Sequence, residues 1–217
     1  VIAPLQSLMK DQVDGLQERG IPGAVTVNGL LSPIERSDAL RMVEDGTASI
    51  LYISPEQLRS ATIQRLLLKR KIARFVIDEA HCFSSWGQDF RVDYLYIGDF
   101  IRELQEKKNL HNGKQNIPVS CFTATAKRKV ITDIVEYFQR TLGITLALFA
   151  SSATRENLHY HVVHCETDMQ KYSQLRFLLE SHQCPCIVYV SRTKRSRELA
   201  ERLSHDGFPA LPYKGKM

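Results

Sequence analysis

The sequence predicts an α/β protein in which parallel sheets are flanked by helices. Three observations carry this. Short apolar runs of strand length alternate with amphipathic stretches of roughly ten to fifteen residues, the signature of strand–helix–strand units. Helix starts are marked by a repeated Ser-Pro device, at Ser32-Pro33-Ile34-Glu35 and again at Ser54-Pro55-Glu56-Gln57. The unusual polar residues, Asp78-Glu79 and Thr123-Ala124-Thr125, each follow an apolar run, and ligands of such sheets bind at the carboxyl ends of the strands.

The elements follow in order. Val1-Ile2-Ala3 reads as the end of a strand, and Pro4 opens a helix with Leu5, Leu8, Met9, Val13 and Leu16 on one face, closed by Gly20. A strand is expected at Ala24–Val27. The capped helix from Ser32 runs to about Asp45 and stops at Gly46. Thr47–Ile53 is a strand, after which Ser54 is expected to cap a helix as Ser32 does. Strands are expected over Lys71–Ile77, Ile117–Phe122 and Leu146–Ala150. Between the last two lies a helix from about Lys127 to Arg140, with Val130, Ile131, Ile134, Val135 and Phe138 at helical spacing. Glu106–Gln115 is polar, holds Asn109, Asn112 and Gly113, and reads as a surface loop. From Ser151 to Asn157 the chain turns polar and a new series begins. Strands are expected at Leu158–Cys165, Cys186–Val190 and Pro209–Tyr213, and helices at Asp168–Ser181 and Lys194–Ser204. This places a domain boundary near residue 152.

Composition narrows the class. Hydrophobic residues make up 43% and charged residues 24%, enough apolar material for a packed core. The excess of 29 Lys and Arg over 24 Asp and Glu weakly favours a polyanionic partner. No apolar run approaches a membrane span and no charged-then-apolar leader opens the chain, so no membrane partner is expected. Cys82, Cys121, Cys165, Cys184 and Cys186 are an odd set without framework spacing, which suits a reducing cytosol. Cys184-Pro185-Cys186 is too tight for a zinc knuckle and no second pair answers it, so the cysteines read as small apolar residues.

The chemistry concentrates in Phe75-Val76-Ile77-Asp78-Glu79-Ala80-His81. An apolar strand ending in adjacent carboxylates is what a Mg·nucleotide site requires: one carboxylate (Asp78) holds Mg²⁺ through water, and the next (Glu79) orients and deprotonates the attacking water. An exposed turn with two solvated acids is the bland alternative, disfavoured by the preceding strand and the Ala-His that follows. His81 reads either as a satisfied core histidine or as a bridge from the nucleotide site to the second domain. Next comes Cys82-Phe83-Ser84-Ser85-Trp86-Gly87-Gln88-Asp89-Phe90-Arg91. Its aromatics suit either burial or stacking on unpaired bases with Arg91 on a phosphate. For Trp86 the spacing alone leaves both readings open.

Asp78–His81 followed by this run closely resembles the RecQ helicases of superfamily 2, in which D-E-A-H-C leads into an aromatic-rich loop containing W-G-x-D-F-R. Other segments agree in order. Ala3–Gln12 resembles that family's motif Ia, Tyr52–Leu58 the segment containing motif Ib, and Phe122–Ala126 motif III. Thr154–Asn157 resembles the stretch joining the lobes, and Val188–Arg192 motif IV. The resemblance implies two RecA-like lobes. Residues 1–152 would form the first, without its phosphate loop, and residues 153–217 the start of the second. It further implies an ATP- and Mg²⁺-dependent motor, moving 3′ to 5′ on single-stranded and partly duplex DNA. Such a motor would serve DNA repair and recombination in the cytoplasm, or in the nucleus of a eukaryote.

Carried over residue by residue, Asp78 resembles the Mg²⁺-water ligand and Glu79 the catalytic base, with His81 completing the nucleotide site. Trp86, Phe90 and Arg91 resemble the DNA sensor. Thr123 and Thr125 resemble the contact relaying nucleotide state between lobes, although both also suit capping of the following helix. Ser191 and Arg192 resemble DNA-backbone contacts of the second lobe; for Arg192, as for Lys194, Arg195 and Arg197, a solvated helix start is the alternative. Gln88 stands where the family has His, and Val92 where Pro follows the Arg, which puts coupling strength in question. No G-x-x-x-x-G-K-[ST] occurs in the sequence; in the family it lies upstream of Val1, while the arginine finger lies beyond Met217. The family's zinc-binding and winged-helix modules are also absent from this sequence. Rival readings are an RNA helicase or other superfamily 2 remodeller, or a non-catalytic nucleic-acid-binding derivative.

Backbone amides and a lysine that cradle phosphates cannot be replaced by two carboxylates, which repel them without Mg²⁺. Residues 1–217 alone are therefore expected to hydrolyse essentially no ATP; clear DNA-stimulated turnover by the purified chain would contradict this.

Overall fold

A computed structural model describes residues 1–84, 91–108, 116–124, 127–150, 157–182 and 185–213. The chain divides into two units, Val1–Ala153 and Thr154–Met217. In order, the first contains α1 (Gln6–Glu18), β1 (Ala24–Val27), α2 (Pro33–Asp45), β2 (Ile50–Ile53), a 3₁₀ turn (Pro55–Arg59) and α3 (Ala61–Lys69). There follow β3 (Phe75–Ile77), a second 3₁₀ turn (Ala80–Phe83), α4 (Tyr94–Lys107), β4 (Val119–Cys121) and α5 (Arg128–Leu142). The second unit contains α6 (Asp168–Ser181) and α7 (Thr193–His205).

β1 pairs with β2 and β3 with β4, both in parallel. Ile2 joins the pairs by bridging Ile53 and Ile77. Ile2 N donates to Val76 O at 2.8 Å and Ala3 N to Ile53 O at 3.0 Å. The order across the sheet is thus β1, β2, Val1–Ala3, β3, β4. Side chains alternate across it, as the two-residue period of a strand demands. Val25, Val27, Ile53, Ile2, Phe75 and Ile77 enter the large core with residues of α2–α5. Ala24, Tyr52 and Ala3 point the other way, against Met9 and Val13 of α1. Helices therefore cover both faces, as expected for a parallel sheet buried on both sides.

Helix ends follow the sequence closely where caps are present. The Ser32 hydroxyl accepts from the Glu35 amide at 3.3 Å while the Glu35 carboxylate accepts from the Ser32 amide at 2.8 Å, a complete capping box. Gly46 ends α2 in the left-handed region, with φ of 92°, where a side chain would be strained. The second Ser-Pro device behaves differently. Ser54 makes no side-chain cap, and Pro55–Arg59 is only a 3₁₀ turn before the separate α3. The residue that would complete the box, Gln57, instead accepts from the Arg36 guanidinium at 3.3 Å.

Other expectations need correction. The strands are shorter than the apolar runs. Residues 47–49 lie outside β2, with the Thr47 amide on the Asp45 carboxylate at 2.9 Å, and the Ile117 amide is taken by the Gln105 side chain at 2.7 Å. α4 has no counterpart among the expected elements, although Tyr94, Ile97, Ile101 and Leu104 are buried at helical spacing. It takes Glu106 and Lys107 from the expected surface loop, whose residues 109–115 lie outside the described residues. The segment 146–150 forms no strand, and Phe149 is 93% exposed.

In the second unit, α6 and α7 match their expected spans to within a residue at each end, and a Thr167–Gln170 capping box starts α6. The expected strands do not form among the described residues of 158–165, 186–190 and 209–213. Val162 and Leu211 are more than nine-tenths exposed. A lone parallel strand leaves its ladder groups unpaired and its apolar face wet, so alternation by itself cannot hold these segments in a sheet. The two helices are joined mainly by polar contacts: Arg195 to Asp168 at 3.0 Å, Tyr172 Oη to Asp206 at 2.8 Å, and the Arg202 guanidinium 3.6 Å over the Tyr172 ring. No helix of the described residues is long and apolar enough to cross a membrane.

α4 and α5 pack tightly at Gly98. A Cβ there would stand 2.6 Å from the Tyr137 hydroxyl and 2.7 Å from Thr141 Cγ2. That hydroxyl accepts from the Gly98 amide and donates to the Leu95 carbonyl, both at 2.8 Å. Gly98→Ala in the intact parent is expected to destabilise by about 1–3 kcal/mol through overpacking, despite alanine's better helix propensity. A denaturant melt with an unchanged or higher midpoint would contradict it.

Candidate active site

Phe75 and Ile77 of β3 are buried, and the strand lies between Val1–Ala3 and β4, so the residue that follows emerges at the carboxyl end of the sheet. That residue is Asp78, whose amide donates to Ile2 O at 2.9 Å. Glu79 comes next, and its amide donates to Asp78 Oδ1 at 2.9 Å. Ala80 N then donates to Phe122 O at 2.8 Å, which ties the turn to the end of β4. The chain turns sharply at Glu79, with φ 49° and ψ 44°, and no other non-glycine among the described residues has positive φ. A left-handed conformation costs roughly 1–2 kcal/mol for a residue with a Cβ.

The 3₁₀ turn Ala80–Phe83 carries His81 back over the acids. His81 Nδ1 lies 3.1 Å from Glu79 Oε2 and 3.2 Å from Thr123 Oγ1. With the His81 side chain 13% exposed and that of Glu79 32%, this is a partly covered polar cluster open on one side. Two strand ends are thereby joined through one imidazole. The histidine is neither a core filler nor isolated.

Asp78, Glu79, His81 and Thr123 are thus brought together. Thr123 does not cap the following helix: the N-cap of α5 is Lys127, which makes no side-chain cap, and the Thr123 hydroxyl is directed to His81 instead. Arg91 is held beside the cluster. Its amide donates to Cys82 O at 3.2 Å and its guanidinium to Pro4 O at 3.4 Å, just ahead of α1. Trp86, Phe90 and Thr125 lie outside the described residues. Ser191 and Arg192 belong to the second unit, exposed at the start of α7, where Arg192 is the N-cap without a side-chain bond.

Four further residues lie in contacts at or next to this cluster that sequence reasoning did not find. The Tyr94 hydroxyl donates to the Asp78 carbonyl at 2.9 Å. The Ser84 hydroxyl, at the end of the second 3₁₀ turn, donates to Asp133 Oδ2 of α5, and Lys129 pairs with Asp133 Oδ1 at 3.0 Å. The Ser84 hydrogen bond, then Lys129, hold the Asp133 carboxyl below the usual carboxylate range. That contact therefore keeps its charge-assisted form at neutral pH and weakens only as acid protonates Asp133. Partners 16 and 49 residues apart leave no periodic trace in a sequence. The available signal for Tyr94 was a polar tip on an otherwise apolar helix face.

Residues 1–134 match the DEAD/DEAH box helicase family. Over 200 residues the chain is 34% identical to the probable ATP-dependent DNA helicase RecS of Bacillus subtilis, covering 92% of this chain and 37% of that protein. It is 34% identical over 215 residues to the ATP-dependent DNA helicase RecQ of the same organism, covering 99% of this chain and 34% of the relative. To the RecQ-like DNA helicase BLM of Xenopus laevis it is 30% identical, over 98% of this chain and 15% of the relative. The chain thus spans about a third or less of the length of these curated relatives. With the acid pair at the carboxyl end of a parallel strand and residues 1–134 matched, this chain belongs to the DEAD/DEAH box helicases, with RecQ-type DNA helicases of bacteria and eukaryotes among its relatives.

Proposed function

We propose that this chain is part of the motor core of an ATP-dependent DNA helicase of RecQ type, which couples ATP hydrolysis to 3′–5′ movement on single-stranded DNA and to duplex unwinding. Residues 1–152 would act as the first RecA-like lobe and residues 153–217 as the start of the second. The observation that carries this reading is the cluster at the strand ends: Asp78 and Glu79 after β3, with His81 shared between Glu79 and Thr123.

The surroundings of Asp78, Glu79 and His81 suit the role proposed for each. One oxygen of Asp78 is engaged by the Glu79 amide, and its carboxylate is a hard donor of the kind that suits Mg²⁺ held through water. The ion, when bound with the nucleotide, would neutralise charge developing on the phosphate oxygens. Glu79 would accept the proton of the attacking water, and its half-open position leaves room for that water. His81 Nδ1 faces two acceptors, so a shift of the β4 end carrying Thr123 would change the hydrogen bonding of the base. Trp86, Phe90 and Arg91 would read the presence of single-stranded DNA, with Thr125, Ser191 and Arg192 completing the coupling and backbone contacts. Such a protein would act wherever its DNA lies, in the cytoplasm or in the nucleus of a eukaryote.

In the intact parent, Glu79→Gln is expected to preserve ATP binding and abolish turnover, since it keeps size and hydrogen bonding but removes the base. A nucleotide titration beside an ATPase assay checks it; lost affinity with turnover kept would contradict the role. Stimulation of the wild-type parent by RNA rather than DNA would favour a different helicase class. Trp86→Ala in the same parent is expected to leave the thermal melt and basal ATP binding nearly unchanged. It should sharply reduce stimulation by single-stranded DNA. A core tryptophan would instead cost roughly 3–5 kcal/mol on truncation, and a large fall in melting temperature with stimulation intact would remove Trp86 from the sensor.

A further inference from the structure

Glu79 occupies a backbone conformation that a residue with a side chain holds only when its surroundings over-determine it. The surroundings can be named. The peptide before its Cα has both polar groups occupied: the Asp78 carbonyl accepts from the Tyr94 hydroxyl at 2.9 Å and the Glu79 amide donates to Asp78 Oδ1 at 2.9 Å. The peptide after it is pinned as well, with Ala80 N on Phe122 O at 2.8 Å and the Glu79 carbonyl accepting from Cys82 N at 2.9 Å. Fixing both flanking planes fixes φ and ψ of Glu79 and hence the direction of its Cα–Cβ bond. Three of these bonds come from the sheet end and the turn itself. Among the described residues, the Tyr94 hydroxyl is the one side chain supplied by another element.

Tyr94 is built to hold still. It is fully buried and is the first residue of α4, with its amide on the Arg91 carbonyl at 3.0 Å. Its ring meets Phe83 edge-on, with centroids 5.3 Å apart and planes at 88°. A buried hydroxyl beside a strand of apolar neighbours has a simpler use, satisfying its own polar tip. That use does not require the acceptor to be the carbonyl between the two site carboxylates.

We propose that Tyr94 is a positioning residue for the hydrolytic step: by holding the Asp78 carbonyl it keeps Glu79 left-handed and its carboxylate aimed. This rests on the reading of Glu79 as the base. It also gives the corner at residues 91–94 a consequence at the nucleotide site, because Arg91 opens that corner and Tyr94 closes it on Asp78.

The test is Tyr94→Phe in the intact parent, which keeps the ring and removes the hydroxyl, assayed for ATP hydrolysis with saturating oligo(dT) and for thermal melting. Phe83→Leu serves as a packing control that loosens the ring but retains the hydroxyl. The expected result is a fall in kcat of about tenfold, as for one lost buried hydrogen bond, with KM for ATP changed by no more than about twofold. Phe83→Leu should lower the melting temperature more than Tyr94→Phe does, without the selective loss of kcat. A Tyr94→Phe kcat within about twofold of wild type overturns the proposal, as does a parallel loss of KM, kcat and melting temperature. Failure of Tyr94→Phe to fold also overturns it, since the hydroxyl would then be a stability determinant. Glu79→Gln run alongside separates the levels. Turnover surviving in Glu79→Gln removes both readings, whereas turnover lost there but kept in Tyr94→Phe removes this one alone.

Discussion

The backbone of Val1–Ala3 is bonded on both sides, to β2 through Ile53 and Ala3 and to β3 through Val76 and Asp78, and the first unit is organised around it. Without this shared segment β1–β2 and β3–β4 would be two separate pairs, each with an unpaired edge and too few strands to be stable alone. With it they become one parallel sheet bonded across its middle. The same carbonyl, that of Ile2, receives the Asp78 amide, so the bond that closes the sheet also sets where the first site carboxylate leaves it. Ile2 is 1% exposed, and its side chain faces the large core while its neighbour Ala3 faces α1.

From that fixed exit the site is assembled by short-range restraint. Placing two carboxylates in succession at a covered strand end brings like charges together, which is costly unless donors receive them. Here the Glu79 amide serves Asp78 and His81 serves Glu79. The left-handed turn at Glu79 lets the chain reverse within one residue, and it brings Ala80 onto Phe122 and His81 onto Thr123. Aromatic packing beneath, with Phe83 against Tyr94, Tyr137 and Phe138, makes the turn part of the core rather than a surface excursion. On the entering side of residues 85–90, Ser84 is tied to α5 through Asp133; on the leaving side, Tyr94 is tied to Asp78.

The two units differ in what holds them. The first has an extended apolar core drawn from every helix but one, with α1 forming a second, smaller cluster on the opposite face. In the second, Tyr172, Ala200 and Leu203 are the buried apolar residues of the described part, and the contacts between α6 and α7 are chiefly charged and exposed. Exposed ion pairs contribute little, typically under about 1 kcal/mol each. The Arg202 stack on Tyr172 and the Tyr172–Asp206 bond are the better candidates for order there.

Local chemistry carried much of this in the sequence. A Ser-Pro-x-Glu capping box, a glycine at a left-handed helix end and an apolar period of 3.6 are each decided by neighbouring residues, so α2, α5, α6 and α7 were legible with their limits. Asp78-Glu79 stood out in the sequence because adjacent acids after an apolar strand have few other uses, and both lie just past the carboxyl end of β3. What tertiary structure decided were the choices among competing partners. Gln57 turned to Arg36 rather than to Ser54, so the second Ser-Pro device made a 3₁₀ turn; Thr123 turned to His81 rather than capping α5. Strand ends were set by which amides found a ladder partner, and the apolar alternation at 158–165 and 186–190 found none among the described residues. The hydroxyl of Tyr94 on the Asp78 carbonyl belongs to the same class. A sequence specifies which groups can bond, but over a separation of 16 residues only the packed fold determines which of them meet.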